Sequence, residues 1–169
     1  EVKEAVKPFE EKYHKKIPLV VAGGIFSGFD LAHYLKLGAE GVQMGTRFVA
    51  TDECDANLAF KQSYVESKQE DMILIKSPVG MPGRAISNDF TDKLIMGKIP
   101  VKRCYNCLIP CDPKTTPYCI SDALMNSADG EEGLVFAGEN AHLIKEIVPV
   151  KDLITELMKE AEMDLIGKI

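Results

Sequence analysis

Short unbroken apolar runs alternate along the chain with stretches in which apolar residues recur every three or four positions, and each change of period marks a new element. Leu19-Val20-Val21 is one such run, and it predicts a parallel strand buried on both faces. Behind it, Leu31, Tyr34 and Leu35 share one face of a helix over 30–37, which Asp30 can cap and Gly38 can end. Gly41-Val42-Gln43-Met44 is a second short strand. Ahead of both, Val2, Ala5, Val6, Phe9 and Tyr13 lie at helical spacing, so 1–16 reads as an amphipathic helix that Pro8 kinks or delays, with its apolar stripe laid on the outside of a sheet.

Further along, 51–55 is dense in capping and acidic residues, and a helix over 56–68 follows with Leu58, Ala59, Gln62 and Val65 on one face. Met72-Ile73-Leu74-Ile75 is strand-like, and 77–84 is a loop full of prolines and glycines. Short helices are predicted over 88–96 and over 120–128, the latter capped by Ser121. Leu134-Val135-Phe136-Ala137-Gly138 is strand-like again, and 150–161 is a helix with Leu153, Ile154, Leu157 and Met158 on one face, returning to pack on the first part of the chain.

Glycines give this pattern its meaning. Gly23-Gly24 and Gly45 sit just past the two early strands, so both strands end where backbone can approach a ligand with no side chain in the way. Two consecutive βα units ending this way are how a (β/α)8 barrel builds a phosphate site after its seventh and eighth strands, and a hydroxyl such as that of Thr46 adds a donor. A complete barrel takes about 250 residues, and only two of its strands are visible in these 169. The expectation is therefore an α/β protein: the C-terminal portion of a TIM (β/α)8 barrel over 1–70, a smaller α+β second domain over 71–145, and a terminal helix over 146–169. The chain opens on Glu1 inside a helical pattern, which also suggests a piece of a longer protein.

The ordered combination of AGGI, GVQMGTRF and SPVGMPGRAI, covering about residues 1–88, resembles the C-terminal half of the nitronate monooxygenases, formerly 2-nitropropane dioxygenases, which are related to FMN-dependent enoyl-ACP reductases. The resemblance implies a flavin mononucleotide whose phosphate sits on Gly23, Gly24, Gly45 and Thr46, with Gln43 and Met44 nearby. It places Met81 and Arg84, and Gly138, Glu139 and Asn140, in a second domain close to the flavin ring. It implies an oxidoreductase acting on nitronates or nitroalkanes, or, as the alternative, an enoyl-ACP reductase using NAD(P)H, with a small-molecule substrate and the N-terminal half of the barrel as the chain's partner. The family's catalytic histidine lies in a Gly-Gly-His motif that is absent here. His14, His33 and His142 have other surroundings and read as structural, so no catalytic residue is carried over and the chain alone is expected to be inactive. An inosine-monophosphate-dehydrogenase-like reading fails because no cysteine lies between Gly24 and Gly45.

Charge narrows the partners. A net charge of −6 shows no basic nucleic-acid footprint, and no apolar run approaches a membrane span. The expected place is the cytoplasm, and an oligomer is compatible with everything above. Cysteine adds a separate question, because Cys104, Cys107, Cys111 and Cys119 follow a C-x2-C-x3-C-x7-C spacing. A zinc site or iron–sulfur cluster, a redox dithiol at Cys104 and Cys107, and free thiols in a reducing compartment all fit this pattern. The spacing departs from the ferredoxin and zinc-ribbon patterns, so the sequence assigns no metal ligand. A non-enzymatic cysteine-rich metal module remains the competing reading of the whole chain.

Overall fold

The structure is a computed structural model in which residues 1–167 are described. In chain order its elements are α1 (Val2–Tyr13), β1 (Val20–Ala22), α2 (Gly28–Lys36), β2 (Gly41–Gln43), α3 (Thr46–Val49), α4 (Leu58–Glu66), β3 (Met72–Lys76), β4 (Pro82–Ile86), α5 (Asp89–Met96), α6 (Ile120–Ala128) and α7 (Val150–Ile166). They form two compact units, one made of 1–45 with 150–167 and the other of 46–149.

In the first unit β1 and β2 pair in parallel, Val20 with Gly41, Val21 with Val42 and Ala22 with Gln43. The fold is mixed α/β, but this sheet has two strands and no closed barrel forms among the described residues. Val20 is 59% exposed, where the apolar run had predicted burial on both faces. Helix α1 likewise buries no residue, and Pro8 lies inside it without ending it.

The main packing of this unit is α2 against α7. Leu153, Leu157 and Ala161 repeat every four residues down α7 and are buried, whereas Ile154 and Met158, expected on the same face, are about half exposed. Gly28 makes the close approach possible, since a Cβ there would lie 2.0 Å from the Leu157 carbonyl oxygen. Its N–H donates to Glu160 Oε2 at 2.7 Å, and Lys36 pairs with Asp164 at 2.8 Å.

The second unit is built round Ile75, Ala85, Phe90, Tyr118, Ile120, Ala123 and Leu134. β3 and β4 form an antiparallel hairpin, with Met72 opposite Ile86 and Lys76 opposite Pro82. The last three residues of the stretch read as a loop, 82–84, are thus strand. Pro82 opens β4, where a missing N–H is tolerated, and Gly83 leaves room for the Phe136 ring, which a Cβ would meet at 2.3 Å. A third segment joins at Phe136: the Ile86 N–H donates to the Val135 carbonyl at 2.9 Å and the Ala137 N–H to the Arg84 carbonyl at 3.0 Å.

Helix α4 turns a different face inward from the one expected. Lys61 and Tyr64 are buried, while Leu58 is 65% exposed. The reason is polar. The Lys61 ammonium donates to the carbonyls of Thr51, Asp52 and Cys54 at 2.9, 3.3 and 3.0 Å, and the Tyr64 hydroxyl donates to the Phe136 carbonyl. The cap of α4 is Asn57, whose Oδ1 accepts from the Ala59 N–H at 2.9 Å, rather than a residue of 51–55. Among the described residues no helix is long and apolar enough to cross a membrane.

Candidate functional site

The register of β1 with β2 settles where the glycine turns lie. Because Ala22 pairs with Gln43 in a parallel ladder, the turns that follow, Gly23-Gly24 and Met44-Gly45, leave the sheet at the same end. Gly23 has φ +88° and Gly24 φ +74°, values at which any other residue is strained. A Cβ on Gly23, Gly24 or Gly45 would meet nothing within 4 Å, so open space faces all three. The glycines at 23 and 24 therefore answer to backbone conformation and to that open space, and packing does not require them.

The turn is fixed from behind by the start of α2. Ser27, rather than Asp30, is the N-cap, and Asp30 is its partner in a capping box. Ser27 Oγ accepts from the Asp30 N–H at 3.2 Å. Asp30 Oδ2 accepts from the N–H of Phe26 at 3.0 Å, from the N–H of Ser27 at 2.9 Å and from the Ser27 hydroxyl at 2.9 Å. Partial burial pushes the Asp30 carboxyl up, but the two backbone donors and the hydroxyl outweigh it and hold the group below the usual carboxylate range. Ile25, between turn and cap, is buried.

Gln43 is the exposed last residue of β2, and Met44 is half-buried. Thr46 follows Gly45 in the chain and opens α3 as the first residue of the second unit. There its Oγ1 accepts from the Gly138 N–H at 2.9 Å, and a Cβ on Gly138 would lie 2.9 Å from that oxygen. Among the other candidates, Met81 is exposed at the hairpin tip and Arg84 pairs with Glu139 at 3.4 Å, a contact open to water and of little energetic weight. The Glu139 carbonyl faces His142 Nδ1 at 3.0 Å, and Asn140 immediately precedes a 3-10 turn over Ala141–Leu143. The histidines stand apart from the glycine turns in the chain: His14 caps α1 in a left-handed conformation, and His33 lies exposed on α2.

Residues that the sequence reading missed are Ser27, Glu160 and Lys61. The first was legible as the S-x-x-D start of a helix, whereas the other two act through contacts distant in the chain or through backbone carbonyls.

What fold and site define is an α/β protein whose parallel strands end in glycine turns on one side, the side where such sheets place their ligands. The chain belongs to the nitronate monooxygenase family, which matches residues 1–160. A probable nitronate monooxygenase of Staphylococcus saprophyticus is 44% identical over 78 residues, which is 46% of this chain and 22% of that protein. One of Staphylococcus haemolyticus is 42% identical over 89 residues, 52% of this chain and 25% of the relative. Among solved structures, FabK from Thermotoga maritima superposes with a TM-score of 0.68 at 31% identity, over 89% of this chain and 46% of FabK. A nitroalkane oxidase from Streptomyces ansochromogenes shares the fold, with a TM-score of 0.63 at 24% identity over 90% of this chain and 42% of its own. The chain thus spans about half the length of these structures.

Proposed function

We propose that the whole protein is an FMN-dependent oxidoreductase of the nitronate monooxygenase type, and that this chain supplies the cradle for the flavin's phosphate. The observation that carries the reading is the pairing of Ala22 with Gln43, which sends two glycine turns out of one sheet end. The residues fit a phosphate. Gly23 and Gly24 are left-handed, and the space a Cβ would take at Gly23, Gly24 and Gly45 is empty, so an anion can approach the backbone there. Thr46 has a hydroxyl whose oxygen accepts from Gly138, a role that does not consume its own proton. Gln43 and Met44 complete the proposed contact set.

Bound FMN would supply the redox chemistry, accepting electrons from a nitronate or nitroalkane. This chain's part is to hold and orient: the Ser27–Asp30 box fixes the turn, and the glycines keep the approach clear. None of its three histidines adjoins Gly23, Gly24 or Gly45 in the chain, and no Gly-Gly-His motif occurs in it, so the proton acceptor is assigned to the rest of the protein and the chain alone is expected to be inactive. The alternative is an FMN-dependent enoyl-ACP reductase driven by NAD(P)H. The match of the nitronate monooxygenase family to residues 1–160 supports the nitronate reading over this alternative. Five free cysteines suit the cytoplasm, and a small organic molecule is the expected substrate.

The test is flavin content and turnover of the intact protein. The purified protein should carry FMN and oxidise nitronates faster than it reduces enoyl thioesters. Gly45→Val, which fills the open approach, should weaken FMN at least about tenfold, a loss of about 1.4 kcal/mol. Full flavin retention in that variant would remove Gly45 from the cradle. A wild-type protein without flavin would end the oxidoreductase reading.

A further inference from the structure

The four cysteines spaced C-x2-C-x3-C-x7-C come together in the fold. Cys104, Cys107, Cys111 and Cys119 all line one pocket of about 250 Å³ in the second unit, walled on its apolar side by Val101, Leu108, Pro113 and Ile120. All four are free thiols. The segment is braced for its length. The Tyr105 hydroxyl donates to Asp122 Oδ1 at 3.2 Å, tying the C-x2-C turn to the first turn of α6, and Cys119 is the N-cap of that helix. The Ile99 N–H donates to the Pro117 carbonyl at 2.9 Å, and the Lys114 and Thr116 N–H groups turn back on Asp112.

The C-x2-C turn itself has the geometry of a sulfur-holding loop. Asn106 is left-handed at φ 52°, and its N–H points at Cys104 Sγ, 3.5 Å away.

The size of the pocket indicates which centre fits. A single tetrahedral zinc draws its four sulfurs to about 2.3 Å from the ion and so to roughly 3.8 Å from one another. Among the described residues no three Cys, His, Asp or Glu side chains stand close enough to share one ion. Four thiols lining a pocket of about 250 Å³ leave room for a body larger than one ion. We propose that Cys104, Cys107, Cys111 and Cys119 ligate an iron–sulfur cluster through their thiolates. This reading is independent of the flavin.

The full chain is purified without oxygen, reconstituted with ferrous iron and sulfide under a thiol reductant, and assayed for iron, acid-labile sulfide and zinc. The expected result is iron and sulfide in equal amounts, brown absorbance, and a paramagnetic signal that changes on dithionite reduction. Cys107→Ser and Cys111→Ser should each lower iron about tenfold or more, while Cys54→Ser, outside the pocket, keeps it. Circular dichroism of each variant separates loss of the cluster from loss of the fold. One zinc per chain without sulfide would overturn the cluster in favour of a collapsed single-ion site. A wild-type protein that takes up neither iron nor zinc would overturn metal binding altogether.

Discussion

Replacing Gly28 with alanine tests how the glycine turn is held. The added Cβ would sit 2.0 Å from the Leu157 carbonyl oxygen, 2.7 Å from the Ala161 nitrogen and 2.7 Å from Glu160 Cβ. Two of these are backbone atoms of α7, so no rotamer change relieves the contact. The helices must part by about 1 Å before the shortest approach reaches even 3.0 Å. A gap of that size forfeits roughly a quarter to a half of the dispersion between facing atoms, here those around Ala32, Leu153 and Leu157. Overpacking of this kind costs about 1–3 kcal/mol, and stretching the Gly28 N–H bond to the Glu160 carboxylate costs up to about 1.5–3 more. Alanine's better helix propensity returns at most about 1 kcal/mol. The net expectation is a loss of about 3 kcal/mol, which for a chain of this size lowers Tm by roughly 6–12 °C. Gly41→Ala is the control, because a Cβ there meets nothing within 4 Å and its φ is ordinary; it should change stability by no more than about 0.5 kcal/mol. Urea and thermal unfolding of both variants decide the matter. Equal stability of Gly28→Ala and Gly41→Ala would refute the close α2–α7 contact.

Gly23→Ala has free space for its Cβ but the wrong φ, so it should lose about 1–2 kcal/mol through backbone strain alone, measured by urea titration against Gly45→Ala. Asp30→Asn should destabilise by about 1 kcal/mol at neutral pH. Because the folded carboxyl lies below its unfolded value of about 3.9, its contribution is complete above that value and fades as pH falls through the folded one. Tm values of the two proteins should therefore converge below about pH 4, and a gap constant across pH would count against the box. Lys61→Met keeps the buried stem but removes the donor to three carbonyls, and should cost about 2–4 kcal/mol by thermal unfolding. A neutral result there would mean that water serves those carbonyls equally well.

Local signals were legible and distant ones were not. The period of the apolar residues located α2, α5, α6 and α7 within a few positions, and the glycines marked both strand ends, because each of these depends on neighbours in the chain. Ser27 was passed over for Asp30 because both are good cap residues, and only the hydrogen bonds tell the cap from its box partner. β4 was hidden by Pro82 and Gly83, which break strands in general but are tolerated here by the first position and by the Phe136 ring. The inward face of α4 could not be read at all. A lysine there belongs to the core since its charge is spent on backbone carbonyls, and nothing in the pattern around Lys61 announces that.

The glycine turn connects packing with the proposed chemistry. A backbone anion cradle works only if its N–H groups are already aimed, since ordering a loose turn on binding would offset the affinity gained. Gly23 and Gly24 supply the unusual φ values but, being glycines, also supply the most freedom to leave them. That freedom is removed within a few residues: Ile25 is buried, the Phe26 and Ser27 N–H groups end on Asp30, and the Gly28 N–H ends on Glu160. The distant anchor is on α7, more than a hundred residues along the chain, and it reaches α2 because Gly28 has no side chain. Loss of that contact should therefore appear twice, as lower stability in this chain and as weaker flavin retention in the whole protein. Glu160→Gln separates the two effects, since it weakens the bond to Gly28 without forcing the helices apart. It should leave Tm within a few degrees while still lowering FMN affinity, and an unchanged affinity would disconnect α7 from the cradle.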